Sequence, residues 1–163
     1  MQLTEVKIED INRIAKLAYK IWNEHYPPII GQIQVDYMLL KFYSNHSLLE
    51  QFKNGQKFYL LNESGKDIGF AAVSRLDNNI WFLNKLYVDS TYQKQSFGHE
   101  MLIFLTTKHN IKILKLQVNR MNYKAINFYF KNGFVIESLL DLDIGEGFQM
   151  NDFVMTLKTS NKI

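Results

Sequence analysis

An α+β fold on a mixed sheet is what this chain predicts, and three observations predict it. Helical periodicity fills the N-terminal third, and three strand patterns joined by short turns follow. The C-terminal half then reads strand and helix in turn before two closing strands. At 163 residues, 47% hydrophobic and 21% charged, the chain has the length and composition of one globular domain, residues 1–163.

The first strand is Leu3 to Val6. From about Asp10 to His25, Ile11, Ile14, Ala15, Ala18, Ile21 and Trp22 recur at helical spacing. Glu9 and Asp10 suit the positive end of that helix. Pro27-Pro28, the only prolines, end it. A second helix runs from about Gln34 to Tyr43, with Met38, Leu39 and Phe42 as its stripe. A short third is expected where Ser47 and Glu50 have capping-box spacing. Lys57 to Leu61, Ile68 to Arg75 and Ile80 to Val88 then read as an antiparallel meander. Turn chemistry joins them at 62–66 and at Asp77-Asn78-Asn79.

A polar loop, Asp89 to Phe97, opens a helix from about Gly98 to His109. Leu114 to Val118 is the next strand, so Ile80 to Val118 forms a right-handed parallel crossover. Tyr123 to Asn132 is a helix closed by Gly133. Phe134 to Leu140 and Met150 to Lys158 are the last strands, on either side of a loop from Asp141 to Gly147. The sheet thus has about seven strands.

Composition excludes several functions. Cysteine is absent, which removes disulfides, thiolate zinc sites and a thiol nucleophile. Without a signal-peptide pattern, that points to a reducing cytoplasm. His46, His99 and His109 are scattered and suggest no metal site. No apolar run approaches the length of a membrane span. The net charge is +3 with dispersed lysines, so no nucleic-acid face is expected.

Two stretches carry chemistry. In the first, Leu86-Tyr87-Val88-Asp89 runs through Ser90-Thr91-Tyr92-Gln93-Lys94-Gln95-Ser96-Phe97-Gly98-His99. A buried strand feeds a polar loop that opens a helix, and such a helix N-terminus favours phosphate. Gly98 lets a phosphate approach the backbone, and Lys94 adds a charge. The glycine spacings of the P-loop and of the Rossmann fingerprint are missing. The second stretch runs from Leu116-Gln117-Val118-Asn119 through Arg120-Met121-Asn122-Tyr123-Lys124-Ala125-Ile126-Asn127-Phe128-Tyr129-Phe130-Lys131-Asn132 to Gly133-Phe134.

Together these stretches resemble the GCN5-related N-acetyltransferase superfamily. Its cofactor loop, Gln/Arg-x-x-Gly-x-Gly/Ala, is similar to Gln93-Lys94-Gln95-Ser96-Phe97-Gly98. Its second motif is matched at Asn122, Ala125, Phe128, Tyr129, Gly133 and Phe134. Ser96 departs from the usual glycine; if the position needs a positive φ, serine costs roughly 1 kcal/mol. The ending from Asp143 to Met155 is similar to bacterial acetyltransferases of the spermidine/spermine class.

The resemblance implies a three-layer fold with helices on both faces of the sheet. It implies acetyl-CoA as cosubstrate, with the pantetheine arm along Leu86, Tyr87 and Val88. The pyrophosphate would sit on Gln93, Lys94, Gln95, Ser96, Phe97, Gly98 and His99, with Asn122 and Ala125 beside the arm. A primary amine, small or on a protein, attacks the thioester directly, and Tyr129 protonates the leaving thiolate. A phenol is protonated at neutral pH and can donate. His25, Tyr26, Tyr37, Asp143 and Glu146 are the substrate candidates, with an acidic rim from Asp141, Asp143 and Glu146 for a polycation. The general base stays open among Glu24, His25, Asp141, Asp143, Glu146 and water, because the fourth strand reads Phe82-Leu83-Asn84-Lys85 without a glutamate. A CoA-binding regulatory module is the alternative function. A homodimer is compatible with the sequence but not read from it.

Overall fold

The structure is a computed structural model that describes residues 2–92 and 96–159. Its strands are β1 (Gln2–Glu5), β2 (Lys57–Glu63), β3 (Lys66–Asp77), β4 (Ile80–Val88), β5 (Ile113–Asn119), β6 (Val135–Gly145) and β7 (Phe148–Lys158). They form one sheet in the order β1-β2-β3-β4-β5-β7-β6, and only β4 and β5 run parallel. Helices α1 (Ile11–His25), α3 (Gln32–Tyr43) and α4 (Asn45–Lys53) cover one face, through Ile14, Ala18, Trp22, Val35, Leu39 and Leu48. Helices α5 (Phe97–Lys108) and α6 (Tyr123–Lys131) cover the other, through Met101, Leu105, Ile126 and Tyr129. Because both faces are covered, β2 buries four consecutive residues, Phe58 to Leu61, instead of alternating.

Three expectations change. The first helix ends at His25, but Pro27 and Pro28 open the one-turn helix α2 (Pro27–Ile30), where a missing N–H costs nothing. Helix α4 is capped by Ser44, whose hydroxyl accepts the Ser47 N–H at 3.2 Å. The Ser47–Glu50 box does not form, and Glu50 pairs with Lys53 instead. Finally, most of the expected loop at 141–147 is strand: β6 and β7 form one long hairpin that turns at Glu146 and Gly147.

The feature that positions a site is a gap in the sheet. Parallel pairing of β4 with β5 runs from Ile80↔Ile113 to Leu83↔Leu116 and stops. At that point β4 carries a bulge: Val73 pairs with Leu83 and Ala72 with Lys85, leaving Asn84 as the extra residue. A bulge bends its strand and sharpens the twist. Beyond it, β4 continues on β3 while Gln117 to Asn119 continue on β7. The two strands part, and a V opens between them.

Candidate active site

One wall of the V is the end of β4. Leu86 packs toward α5 and α6, whereas Tyr87 points to the α1 side. Among the described residues no strand lies along the wedge side of Lys85–Tyr87. The chain then leaves the sheet at Asp89, which is 3% exposed and accepts from Lys20 Nζ at 2.5 Å. It also accepts from the Thr91 N–H and hydroxyl at 3.0 and 2.8 Å. Burial pushes its carboxyl up, but Lys20 and Thr91 outweigh burial and hold it below its ordinary value. The loop thus starts from a pinned point. The sequence reading assigned Asp89 no role, although an Asp followed by Ser-Thr at a strand end is turn chemistry.

Gln93, Lys94 and Gln95 lie outside the described residues. Ser96 caps α5 at φ +62°, in the left-handed region, with no side-chain capping bond. The positive φ that a glycine would favour is therefore present. Phe97 is buried in the apolar core, so only its backbone can meet a ligand. A Cβ on Gly98 would come within 3.0 Å of the Phe128 ring, so the glycine also allows α5 and α6 to pack closely. His99 is exposed, and its Nδ1 lies 2.6 Å from Asn132 Oδ1.

The opposite wall is the end of β5 with α6. Asn122 is buried and caps α6, its Oδ1 accepting the Ala125 N–H at 3.2 Å. That oxygen is also 3.3 Å from His25 Nε2, so the C-terminal end of α1 reaches across to α6. Burial lowers the His25 pKa below its ordinary value, although the Asn122 contact opposes this, and so favours the neutral imidazole. Tyr129 packs its ring against Phe128 and Phe134, with centroids 5.3 Å away in each case. No group among the described residues hydrogen-bonds its hydroxyl. Burial pushes its pKa up, and the nearby Tyr26 phenol adds to the rise. The hydroxyl is a protonated donor without a partner.

Aromatic side chains pack along the α1 side. Tyr26 stacks on Trp22 at 4.2 Å, and Tyr43 donates to the Tyr87 hydroxyl at 3.2 Å. Tyr26 in turn lies within reach of both Tyr87 and Asn122. Below them, Lys85 is buried and donates to Gln51 at 2.6 Å, its ammonium lying 5.2 Å from the Tyr43 ring centroid. Burial lowers its pKa to about 7.

His25, Tyr26, Tyr87, Asn122 and Tyr129 thus converge, whereas the other substrate candidates do not join them. The Tyr37 hydroxyl donates to the Ile144 carbonyl at 2.5 Å and ties α3 to the β6–β7 hairpin. Asp143 accepts the Gly145 N–H at 2.8 Å, and Asp141 is paired with Arg120. Glu146 sits exposed in the hairpin turn. Of the expected acidic rim, Asp141 and Asp143 lie on β6, each with a partner of its own, and Glu146 lies in the turn that follows. The sequence reading missed Asp152, a buried carboxylate on β7 opposite Asn119 of β5. Its only sequence signal was an acidic residue inside a strand of alternating pattern. Among the described residues, no group of three His, Cys, Asp or Glu side chains could hold a metal. No helix among them is long and apolar enough to cross a membrane.

A family model described as "Acetyltransferase (GNAT) domain" matches residues 54–136, just over half of the chain. The chain belongs to the GNAT acetyltransferase family. As a GNAT enzyme it is an N-acetyltransferase with acetyl-CoA as cosubstrate. This GNAT chain is 25% identical over 145 residues to the spermidine N(1)-acetyltransferase of Thermoplasma acidophilum, covering 84% of this chain and 89% of that protein. It is similar to the crystal structure of the PaiA N-acetyltransferase of Thermoplasma acidophilum in complex with coenzyme A. That match has a TM-score of 0.79, 25% identity and coverage of 97% and 98% of the two chains. A GCN5-related N-acetyltransferase of Rhodopseudomonas palustris shares the fold at 18% identity, with a TM-score of 0.78 and coverage of 97% and 95%.

Proposed function

We propose that the V between β4 and β5 holds acetyl-CoA and that the acceptor is a primary amine of the polyamine class. One observation carries this reading: the sheet opens where β4 has backbone without a strand neighbour, beside a Tyr129 hydroxyl that nothing among the described residues engages. The pantetheine arm lies along Leu86 and Tyr87, its amides taking the place of the missing strand. The pyrophosphate sits on the segment 93–98 and the N-terminus of α5, whose first turn has no side-chain cap. Ser96 adds its hydroxyl there. Backbone N–H groups at the end of β4 polarise the acetyl carbonyl.

The amine nitrogen attacks the thioester carbon. A C–N bond forms, the C–S bond breaks, and the thiolate takes the Tyr129 proton. Polyamine specificity is supported by the Thermoplasma acidophilum spermidine N(1)-acetyltransferase to which the chain is similar. The absence of cysteine supports a reducing cytoplasm as the place of action.

A panel of polyamines, amino sugars, aminoglycosides and peptide N-termini, assayed for CoA release, tests the reading. Release with spermidine or spermine is expected. Release with other amines alone would discard the polyamine class. Binding of acetyl-CoA without release from any amine would favour the regulatory-module alternative.

A further inference from the structure

We infer that Asp152 receives the acceptor ammonium and takes its proton before the attack. The inference rests on the acetyl-transfer reading and supplies the general base that the sequence left open. The described residues include five buried polar or charged side chains: Lys85, Asp89, Asn122, Asp152 and Thr156. Four of these are satisfied: Lys85 by Gln51, Asp89 by Lys20 and Thr91, Asn122 by the Ala125 N–H, and Thr156 by Glu137. Asp152 is 3% exposed, and besides burial only the charges of Arg120 and Asp141 act on its carboxylate, with no hydrogen-bond donor to it among the described residues. A buried carboxylate without donors is costly. A bound ammonium supplies both the counter-charge and three donors.

The groups around Asp152 leave that place for a ligand. Arg120 draws on it electrostatically, but the guanidinium is engaged by Asp141 of β6. Asn119, its partner in register on β5, spends its side-chain amide oxygen on the Met121 N–H. On the α1 side stands the Tyr26 phenol, which senses the Asp152 charge. Burial and Asp141 raise the Asp152 pKa to about 6, with Arg120 opposing.

Strand alternation fixes the direction of approach. Phe148 and Met150 pack on the α1 side, whereas Phe153 and Met155 pack on the α5–α6 side. Asp152 therefore faces α1, and Tyr129 belongs to the opposite face. A base on one face and an acid on the other, with a gap in the sheet between them, suits an amine that enters opposite the leaving thiolate. The steps balance. Asp152 takes one proton from the ammonium, and the neutral amine forms the C–N bond. The C–S bond breaks, and the thiolate takes the Tyr129 proton. The surplus proton on the new amide nitrogen restores the phenol, and Asp152 releases its own proton to water.

Asp152→Asn keeps the volume and removes the charge. Three measurements test the role. The value of kcat/KM for spermidine at pH 7.5 should fall by about 100-fold, within the range general bases supply. The acid limb that inflects near pH 6 in the parent should vanish, while the Kd for acetyl-CoA stays within about twofold. Thermal melting, which needs no turnover, should show a higher Tm for the variant at pH 7.5. The gain should disappear near pH 4, where Asp152 of the parent is itself protonated. An unchanged kcat/KM with an unchanged pH profile overturns the inference. A lowered Tm at pH 7.5 also overturns it, because the carboxylate would then be structural. If the parent enzyme leaves spermidine untouched, the polyamine reading fails by itself. The kinetic comparison then uses the amine the panel identifies, and the melting comparison stands unaltered.

Discussion

Replacing Tyr129 by phenylalanine removes one oxygen and little else. The ring would keep its contacts with Phe128 and Phe134, each at 5.3 Å. The backbone would keep its role too, since the Tyr129 carbonyl accepts the N–H groups of Asn132 and Phe134, both at 3.0 Å. The hydroxyl bonds no described residue, so folding should change by no more than about 0.5 kcal/mol. For a chain of this size that moves Tm by roughly 2 °C at most. The chemical effect should be much larger. Losing a general acid costs 10²–10⁴-fold, or about 3–5 kcal/mol of barrier. Acetyl-CoA affinity should hold, because the oxygen is needed once charge develops on sulfur. The pH dependence has a clear sign. Burial raises this phenol above its ordinary value, so it stays protonated up to at least about pH 9 and gives kcat no falling limb below that. The assay is single-turnover CoA release, with acetyl-CoA affinity measured separately by titration. A rate within about threefold of the parent, with chemistry limiting, would refute the acid role. A large loss of Tm would show instead that the hydroxyl is structural.

Two further predictions concern residues that frame the site. Ser96→Gly should relieve the left-handed backbone at φ +62° and stabilise the fold by about 0.5–1 kcal/mol, or roughly 1–4 °C in Tm; calorimetry showing no gain would mean that serine adopts this conformation without strain. Lys85→Met should relieve a buried charge in a pH-dependent way. The folded-state pKa is lowered to about 7, so between there and its ordinary value near 10.5 the unfolded chain holds the extra proton and parent stability rises with pH. The stability of the variant relative to the parent should therefore be greatest below pH 7 and decline toward pH 10 in denaturant titrations. A difference that does not vary with pH would contradict the burial argument.

Local sequence was enough for the order of elements and for the α6 motif. Helical spacing places Ile14, Ala18 and Trp22 on one face, and an Asn three residues before an alanine N–H makes a cap; both are effects of a few neighbouring residues. The strain at Ser96 was legible for the same reason, since it belongs to one residue's φ. What the sequence alone left out depended on distant partners. Gly98 answers to Phe128, thirty positions away, and Tyr37 to the carbonyl of Ile144. The strands β6 and β7 extend through polar residues because each supplies the other's hydrogen bonds, which no single-strand pattern reveals. The V itself exists because one extra residue in β4 coincides with the last pair to β5. Asp152 is the sharpest case. Beside its sequence neighbours it is an ordinary polar residue in a strand, and only the tertiary packing around β7 removes most of its water and leaves its charge without a partner.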